Sequence, residues 1–176
     1  MVGDTWSPSA SMRTLSYFLA DAAKHKARVH QLDFIGAFLQ AKVKNRGFFM
    51  LDIRYADYFP EYAQYFGISL ILLNSMYGIT TSGKLVADEL TEWLLEAGFI
   101  QSQCQMSIYY KYAPDGSKFF VLSYVDDFVY WYTNEDIGKW FVDILGNRFH
   151  VNFLGYAHWF MSIIIFQLKD HSISVE

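Results

Sequence analysis

The chain has 176 residues, 14 Lys+Arg against 18 Asp+Glu for a formal net charge of −4, and a pI near 5.7. That length suits one domain with a substantial core, the acidic balance disfavours tight independent binding to phosphate backbones, and a lone Cys104 excludes a disulfide framework or a Cys-rich zinc site. With 53% of residues apolar, 19% aromatic and only 18% charged, the composition suits a sheet buried on one face with apolar surface left for a partner.

Residues 1–10 are short and polar, without an apolar region ahead of a cleavage site, so no secretory signal is expected. Ser9 or Ser11 can cap a helix whose apolar positions Met12, Leu15, Phe18, Leu19 and Ala22 recur at helical spacing, ending in Lys24-His25-Lys26. The apolar segment 29–39 follows as a strand carrying Asp33, with further strands expected at 48–53 and 68–73. Ser82 is the expected cap of a second helix through Leu85, Val86, Leu90, Trp93, Leu94 and Ala97, closed by Gly98. Segments 107–112 and 118–124 flank Ala113-Pro114-Asp115-Gly116, a strong turn signal, and 128–132 is the partner strand of 119–124. Ile137, Trp140, Phe141, Ile144 and Leu145 mark a third helix, ended near Gly146. Segment 153–168 is the most membrane-like, yet it holds Gly155, His158 and Gln167 and is shorter than the roughly 20 apolar residues of a spanning helix. It reads as core strand with its approach loop, and 159–168 and 172–175 form two strands around Lys169-Asp170-His171. Pro8, Pro60 and Pro114 fall in expected loops, and Cys104 reads as a small apolar filler. Helices interleaved with antiparallel hairpins predict an α+β fold with helices packed on one face of the sheet.

The chemistry-bearing stretch is Tyr124-Val125-Asp126-Asp127, two adjacent carboxylates between very apolar strands. Asp is common in turns, but like charges side by side raise each other's pKa unless a cation compensates them, which points to a hard divalent metal. Asp33, in a similar apolar setting, supplies a third carboxylate. Asp33 and Asp126 lie 93 positions apart (126 − 33), so only adjacent strands can unite them. His30, His150, His158 and His171 do not fall at metal-ligand spacing. Basic clusters at Lys24-His25-Lys26-Ala27-Arg28 and Lys42-Val43-Lys44-Asn45-Arg46 flank the Asp33 segment; each reads as a solvated helix end or loop, or as the lining of a template channel.

Taken together, Gln31-Leu32-Asp33-Phe34-Ile35-Gly36-Ala37-Phe38-Leu39, Asn74-Ser75-Met76-Tyr77-Gly78-Ile79 and Tyr124-Val125-Asp126-Asp127 resemble, in order and spacing, the reverse transcriptase of copia-type LTR retrotransposons. The resemblance runs from about Ser9 to the end of the chain. It implies a reverse-transcriptase palm-like antiparallel sheet and a single domain over residues 1–176, comprising palm and partial fingers without thumb or RNase H. It implies an RNA-directed DNA polymerase with two Mg²⁺, or Mn²⁺, held by Asp33, Asp126 and Asp127, of which Asp127 is the less direct ligand. It also places the backbone of Phe34 and Ile35 beside the triphosphate, gives Phe38 the position of a steric gate against the ribose 2′-hydroxyl, and sets Phe160-Met161-Ser162 at the primer-grip hairpin. The implied partners are an RNA/DNA template-primer and dNTPs.

The chain departs from that family's pattern where Asn74 stands for Lys, Thr81-Ser82-Gly83 for Gln-Ala-Pro and Met161-Ser162 for Leu-Gly, with Lys84 a nearby substitute cation. The run Ile163-Ile164-Ile165-Phe166 is unusual for a strand expected to alternate. These changes remove polar and basic groups, which leaves an alternative reading: a catalytically inactive, retroelement-derived domain acting as a structural subunit of a larger protein assembly. A nucleic-acid binder without chemistry is a third class, disfavoured by the acidic charge. No membrane span is expected, and the location implied is intracellular, cytoplasmic or nuclear.

Overall fold

The computed structural model describes residues 9–176; the loop expected at Pro8 and the polar segment before it lie outside these residues, as do the side chains of 44–46 in the second basic cluster. The first helix, α1 (Met12–Lys24), is capped by Ser11, whose hydroxyl accepts from the Thr14 N–H at 3.1 Å; Ser9 takes no part in the cap. Strand β1 (Val29–Phe34) stops one residue after Asp33 because Gly36 turns the chain with φ 61, a left-handed conformation that glycine adopts without strain. Residues 37–39 of the expected strand are instead helical, in the short α2 (Ala37–Gln40).

Strand β2 (Lys42–Met50) begins earlier than the 48–53 expected, and Ile53 belongs to a 3₁₀ turn, Ile53–Tyr55. A second such turn, Pro60–Tyr65, leads to β3 (Ser69–Asn74), and β2 and β3 pair antiparallel in their own two-stranded sheet. Helix α3 (Ser82–Glu96) takes Ser82 as its first residue rather than its cap; the cap position is Thr81 and no side chain caps it. The Ser82 hydroxyl is used elsewhere, donating to the Met76 carbonyl at 2.7 Å and accepting from Ser75 Oγ at 2.6 Å. Gly98, φ 83, closes that helix as expected.

A short edge strand β4 (Ile100–Gln101), unheralded in the sequence, precedes β5 (Ile108–Tyr112), β6 (Lys118–Tyr124) and β7 (Asp127–Tyr132). The Pro114 turn forms with the Gly116 N–H donating to the Ala113 carbonyl at 2.9 Å and the Ser117 N–H to Asp115 Oδ1. Helix α4 (Glu135–Arg148) is capped by Asn134 and runs through Gly146 to Arg148, two residues past the end expected near Gly146, with Phe149 as its C-cap. Gly at that position is tolerated because a helix interior only loses some stability by it.

Strand β8 (Val151–Tyr156) was expected only as part of an approach loop. Its Gly155, φ 78, sits opposite Gln31 where the β1–β8 register shifts by a bulge, and both features blur the alternating pattern that would have revealed it. Residues 159–168 are not one strand but a tight hairpin, β9 (Trp159–Phe160) and β10 (Ile163–Gln167), with β11 (Ile173–Val175) beside β10. Within β10 only Ile165 is fully buried, so the run Ile163–Phe166 alternates in burial although its outward residues are also apolar.

The main sheet has six antiparallel strands in the order β4-β5-β6-β7-β1-β8. Helices α3 and α4 pack on one face as expected, where Val86, Leu90, Leu94, Phe141 and Leu145 meet Leu32, Phe34, Tyr109, Phe119, Val121, Phe128 and Tyr130. The other face is covered as well. Leu15, Phe18, Leu19 and Ala22 of α1, with Phe160 and Ile165 of the hairpin, bury Val29, Leu122, Val129 and Trp131. Two covered faces explain why β6 and β7 read as continuous apolar runs: neither side of the pleat meets water. Cys104 is exposed in the loop before β5, not a core filler.

Candidate active site

Strand β1 lies between β7 and β8, and this placement solves the problem of distance in sequence. Asp33 is the direct cross-strand partner of Asp127, which puts their Cα atoms roughly 5 Å apart with both side chains on one face. The Phe34 N–H donates to the Asp126 carbonyl at 3.3 Å, so the end of β1 is stitched to the tip that carries the second carboxylate. That tip is a two-residue turn, Val125-Asp126, closed by the Tyr124–Asp127 pair. Val125 has φ 57, the sign that two-residue hairpins require and a β-branched residue resists. Backbone strain of this kind is held by the paired strands on either side.

All three carboxylates are half-buried at an open corner of the sheet. Partial burial, then the Asp126 charge, raises the Asp33 pKa; burial, then Asp126 and Asp33, raises that of Asp127. The corner therefore carries uncompensated negative charge that a cation would relieve. Among the described residues no three His, Cys, Asp or Glu side chains are gathered closely enough to hold an ion by themselves. A pair of carboxylates with a third adjoining still fits Mg²⁺, which commonly takes one or two carboxylates and completes its octahedron with water and substrate phosphates.

The other sequence-nominated residues surround this corner unequally. The Phe34 ring is buried against Phe128 and Phe149, and the Ile35 side chain is exposed while its N–H donates to the His150 carbonyl at 3.0 Å. Both amides thus serve the fold's own hydrogen bonds. Phe38 lies on α2, half-buried, with its ring edge-on to Tyr77 at 4.8 Å. Phe160 is buried and meets the Tyr124 ring at 6.2 Å, so the β9–β10 hairpin stands beside the carboxylate turn on the same face. Met161 and Ser162 form its two-residue tip with φ 52 and 63. Positive φ at both positions is the geometry that normally selects Asn or Gly.

Several contributors carry no sequence signal. Asn152 of β8 is the cross-strand partner of Asp33 on the side away from Asp127, which places an amide next to the acids. Gln40 clamps the turn after Asp33, donating to the carbonyls of Ile35 and His150 and accepting from the His150 N–H at 2.8 Å. Asn74 donates to the Leu39 carbonyl at 2.8 Å and the Ser75 N–H to that of Ala41, so the 74–82 loop is tied to α2. Such single polar residues become legible only when their partners are placed. Lys84 pairs with Asp88 one turn along α3. The basic cluster Lys24–Arg28 precedes β1 and so lies at the opposite end of that strand from Asp33.

An antiparallel sheet thus sets an early aspartate beside a later Asp-Asp turn, with helices packed behind it. The family model described as reverse transcriptase (RNA-dependent DNA polymerase) matches residues 2–174, and the chain belongs to that family. No curated protein and no solved structure matches it significantly. Among the described residues no helix is long and apolar enough to cross a membrane.

Proposed function

We propose that this chain is the palm and part of the fingers of a copia-type reverse transcriptase, an RNA-directed DNA polymerase core that adds deoxynucleotides to a primer 3′-hydroxyl. The observation that carries the reading is the Asp33–Asp127 strand pairing with Asp126 on the adjoining turn. Asp33 and Asp126 would hold two Mg²⁺ or Mn²⁺ ions at such a corner, with Asp127 a less direct ligand that sets the local charge and geometry; ions so held would supply Lewis-acid activation of the primer hydroxyl and charge neutralisation of the triphosphate. The Phe34–Ile35 segment borders the triphosphate through its shape, Phe38 sets the floor beneath the sugar, and the hairpin of Phe160, Met161 and Ser162 supports the primer end. Phe38, edge-on to Tyr77, excludes a 2′-hydroxyl by overlap or by leaving it unpaired against the ring. On this reading residues 9–176 form one palm and partial-fingers unit, and template-primer is met inside the cell, in cytoplasm or nucleus.

Primer extension on a primed RNA template with Mg²⁺ tests the proposal. Asp126→Asn is expected to lower extension by about 10³-fold or more, with unchanged melting, since several kcal/mol of charge stabilisation is withdrawn. Extension that survives Asp126→Asn overturns it. Phe38→Ala is expected to keep DNA synthesis and raise ribonucleotide incorporation by roughly 10-fold or more; unchanged selectivity in the active variant removes the gate role.

A second reading has its own support. The carboxylates are not preassembled as a three-ligand group among the described residues, and β2–β3 displays apolar side chains to solvent, among them Phe48, Met50, Ile71 and Leu73. Both features suit an inactive, retroelement-derived structural subunit of a larger assembly. Folded, soluble wild-type protein with no extension, recovered in a large complex, supports that reading.

A further inference from the structure

At the opposite end of β1 from Asp33, four separate segments enclose a cleft of about 220 Å³. Its walls carry Lys26 and Arg28 from the α1–β1 connection, His30 from β1, Tyr132 from β7, Tyr156 from β8 and His171 from the β10–β11 turn. Arg28 is half-buried, and among the described residues neither it nor Lys26 has a carboxylate within ion-pair distance; the Arg28 guanidinium instead stands 6.0 Å from the centre of the Tyr156 ring. A half-buried cation without a counter-charge is costly, and an anion from outside relieves it. Glu135 also borders the cleft and keeps its negative charge while accepting a hydrogen bond from the Tyr132 hydroxyl at 3.2 Å, so Lys26 and Arg28 leave the lining they share with it one positive charge in excess.

His30 is wedged among Tyr130, Tyr132 and Tyr156, with ring centres 5.0 to 5.3 Å away, and burial lowers its pKa. It is therefore neutral at pH 7 and offers one donor and one acceptor, while the fixed positive charge comes from Lys26 and Arg28. Nδ1 of His171 is buried without a hydrogen-bond partner among the described residues. A compact pocket with two fixed cations, one of them a planar guanidinium, and the neutral imidazole of His30 matches the tetrahedral oxygens of a phosphate.

We propose that this cleft is a phosphate-binding site separate from the aspartate corner, with Arg28 and Lys26 as its anchors and His30 as its floor. Its volume of about 220 Å³ admits a phosphate group, either free phosphate or a backbone phosphate of a nucleic-acid strand. The inference does not depend on polymerase activity, because neither its residues nor its test involves Asp33, Asp126 or Asp127.

The test is titration of the intact protein with inorganic phosphate, and separately with a short single-stranded oligonucleotide, at fixed ionic strength with chloride as the control. Binding is followed by calorimetry and by histidine ring NMR signals. Saturable binding that shifts the His30 and His171 signals and weakens at least tenfold in both Arg28→Gln and Lys26→Gln supports the site. Saturation by phosphate alone identifies a free-anion site; saturation by the oligonucleotide alone identifies a backbone contact. No saturable binding of either, or binding that both variants leave unchanged, overturns the proposal, and native melting of the variants shows that a loss is not unfolding.

Discussion

The six-stranded sheet and the apolar 48–50 and 70–73 stretches of the β2–β3 sheet end in opposite states. Phe119, Val121, Val129 and Trp131 are almost wholly buried between two layers, whereas Phe48 is 65% and Leu73 76% exposed. The difference is what lies across from each face: helices on one side of the main sheet and α1 with a hairpin on the other, against two 3₁₀ turns near a lone strand pair. An isolated two-stranded sheet is marginally stable in water. Apolar composition therefore marks the core in one region and an open surface in the other, and the carboxylates sit on the region that is held rigid.

The largest expected effect tests that contrast directly. Phe119→Ala is expected to cost about 3–5 kcal/mol in denaturant unfolding, because a fully buried ring leaves a cavity, while Phe48→Ala is expected to cost less than about 0.5 kcal/mol. Similar losses at both positions would mean that β2–β3 is packed as firmly as the main sheet. A smaller gain is expected at the hairpin beside the carboxylate turn: Ser162→Gly, at φ 63, should stabilise the domain by about 0.5–1 kcal/mol through relief of left-handed strain, read as a higher melting temperature.

The smallest effect concerns the charge stored in the rigid region. Asp33 and Asp127 have raised pKa values in the folded state, so folding favours their protonated forms. Their contribution is least unfavourable below about pH 4, the ordinary carboxylate value, and stability is lost as pH rises through the raised values. Metal-free Asp33→Asn should then be more stable than wild type at pH 7 by only about 0.2–0.4 kcal/mol, since solvent screens most of the repulsion, an advantage that vanishes below about pH 4 and shrinks with Mg²⁺. An Asp33→Asn variant less stable than wild type at pH 7 without metal would show the carboxylate to be structural.

Local patterns settled much of this molecule. Helical spacing placed α1 and α3, the Pro-Asp-Gly turn set the β5–β6 connection, and alternation-free apolar runs located β6 and β7, since these signals act over a few residues. They also nominated the acids, because adjacent charges between greasy strands are anomalous in any fold. Ser82 misled as a cap because a good local capping residue yields when its hydroxyl finds Met76 and Ser75, while Gly146 marked the end of α4 to within two residues. Strand β8 stayed hidden because a bulge and Gly155 erase its period, and α1's burial of the second sheet face depends on which way a chain crosses the sheet.

Sequence alone determined which residues carry charge where charge is expensive, and therefore which side chains could do chemistry. Only the tertiary structure decided that β1 inserts between β7 and β8, bringing Asp33 level with Asp127, placing Asn152 on its other side and drawing Lys26, Arg28 and His30 into a cleft at the far end of the same strand. The reason is that strand order is set by the summed burial of whole faces, a quantity spread over the entire chain, while propensity and turn chemistry are written within a few neighbouring residues.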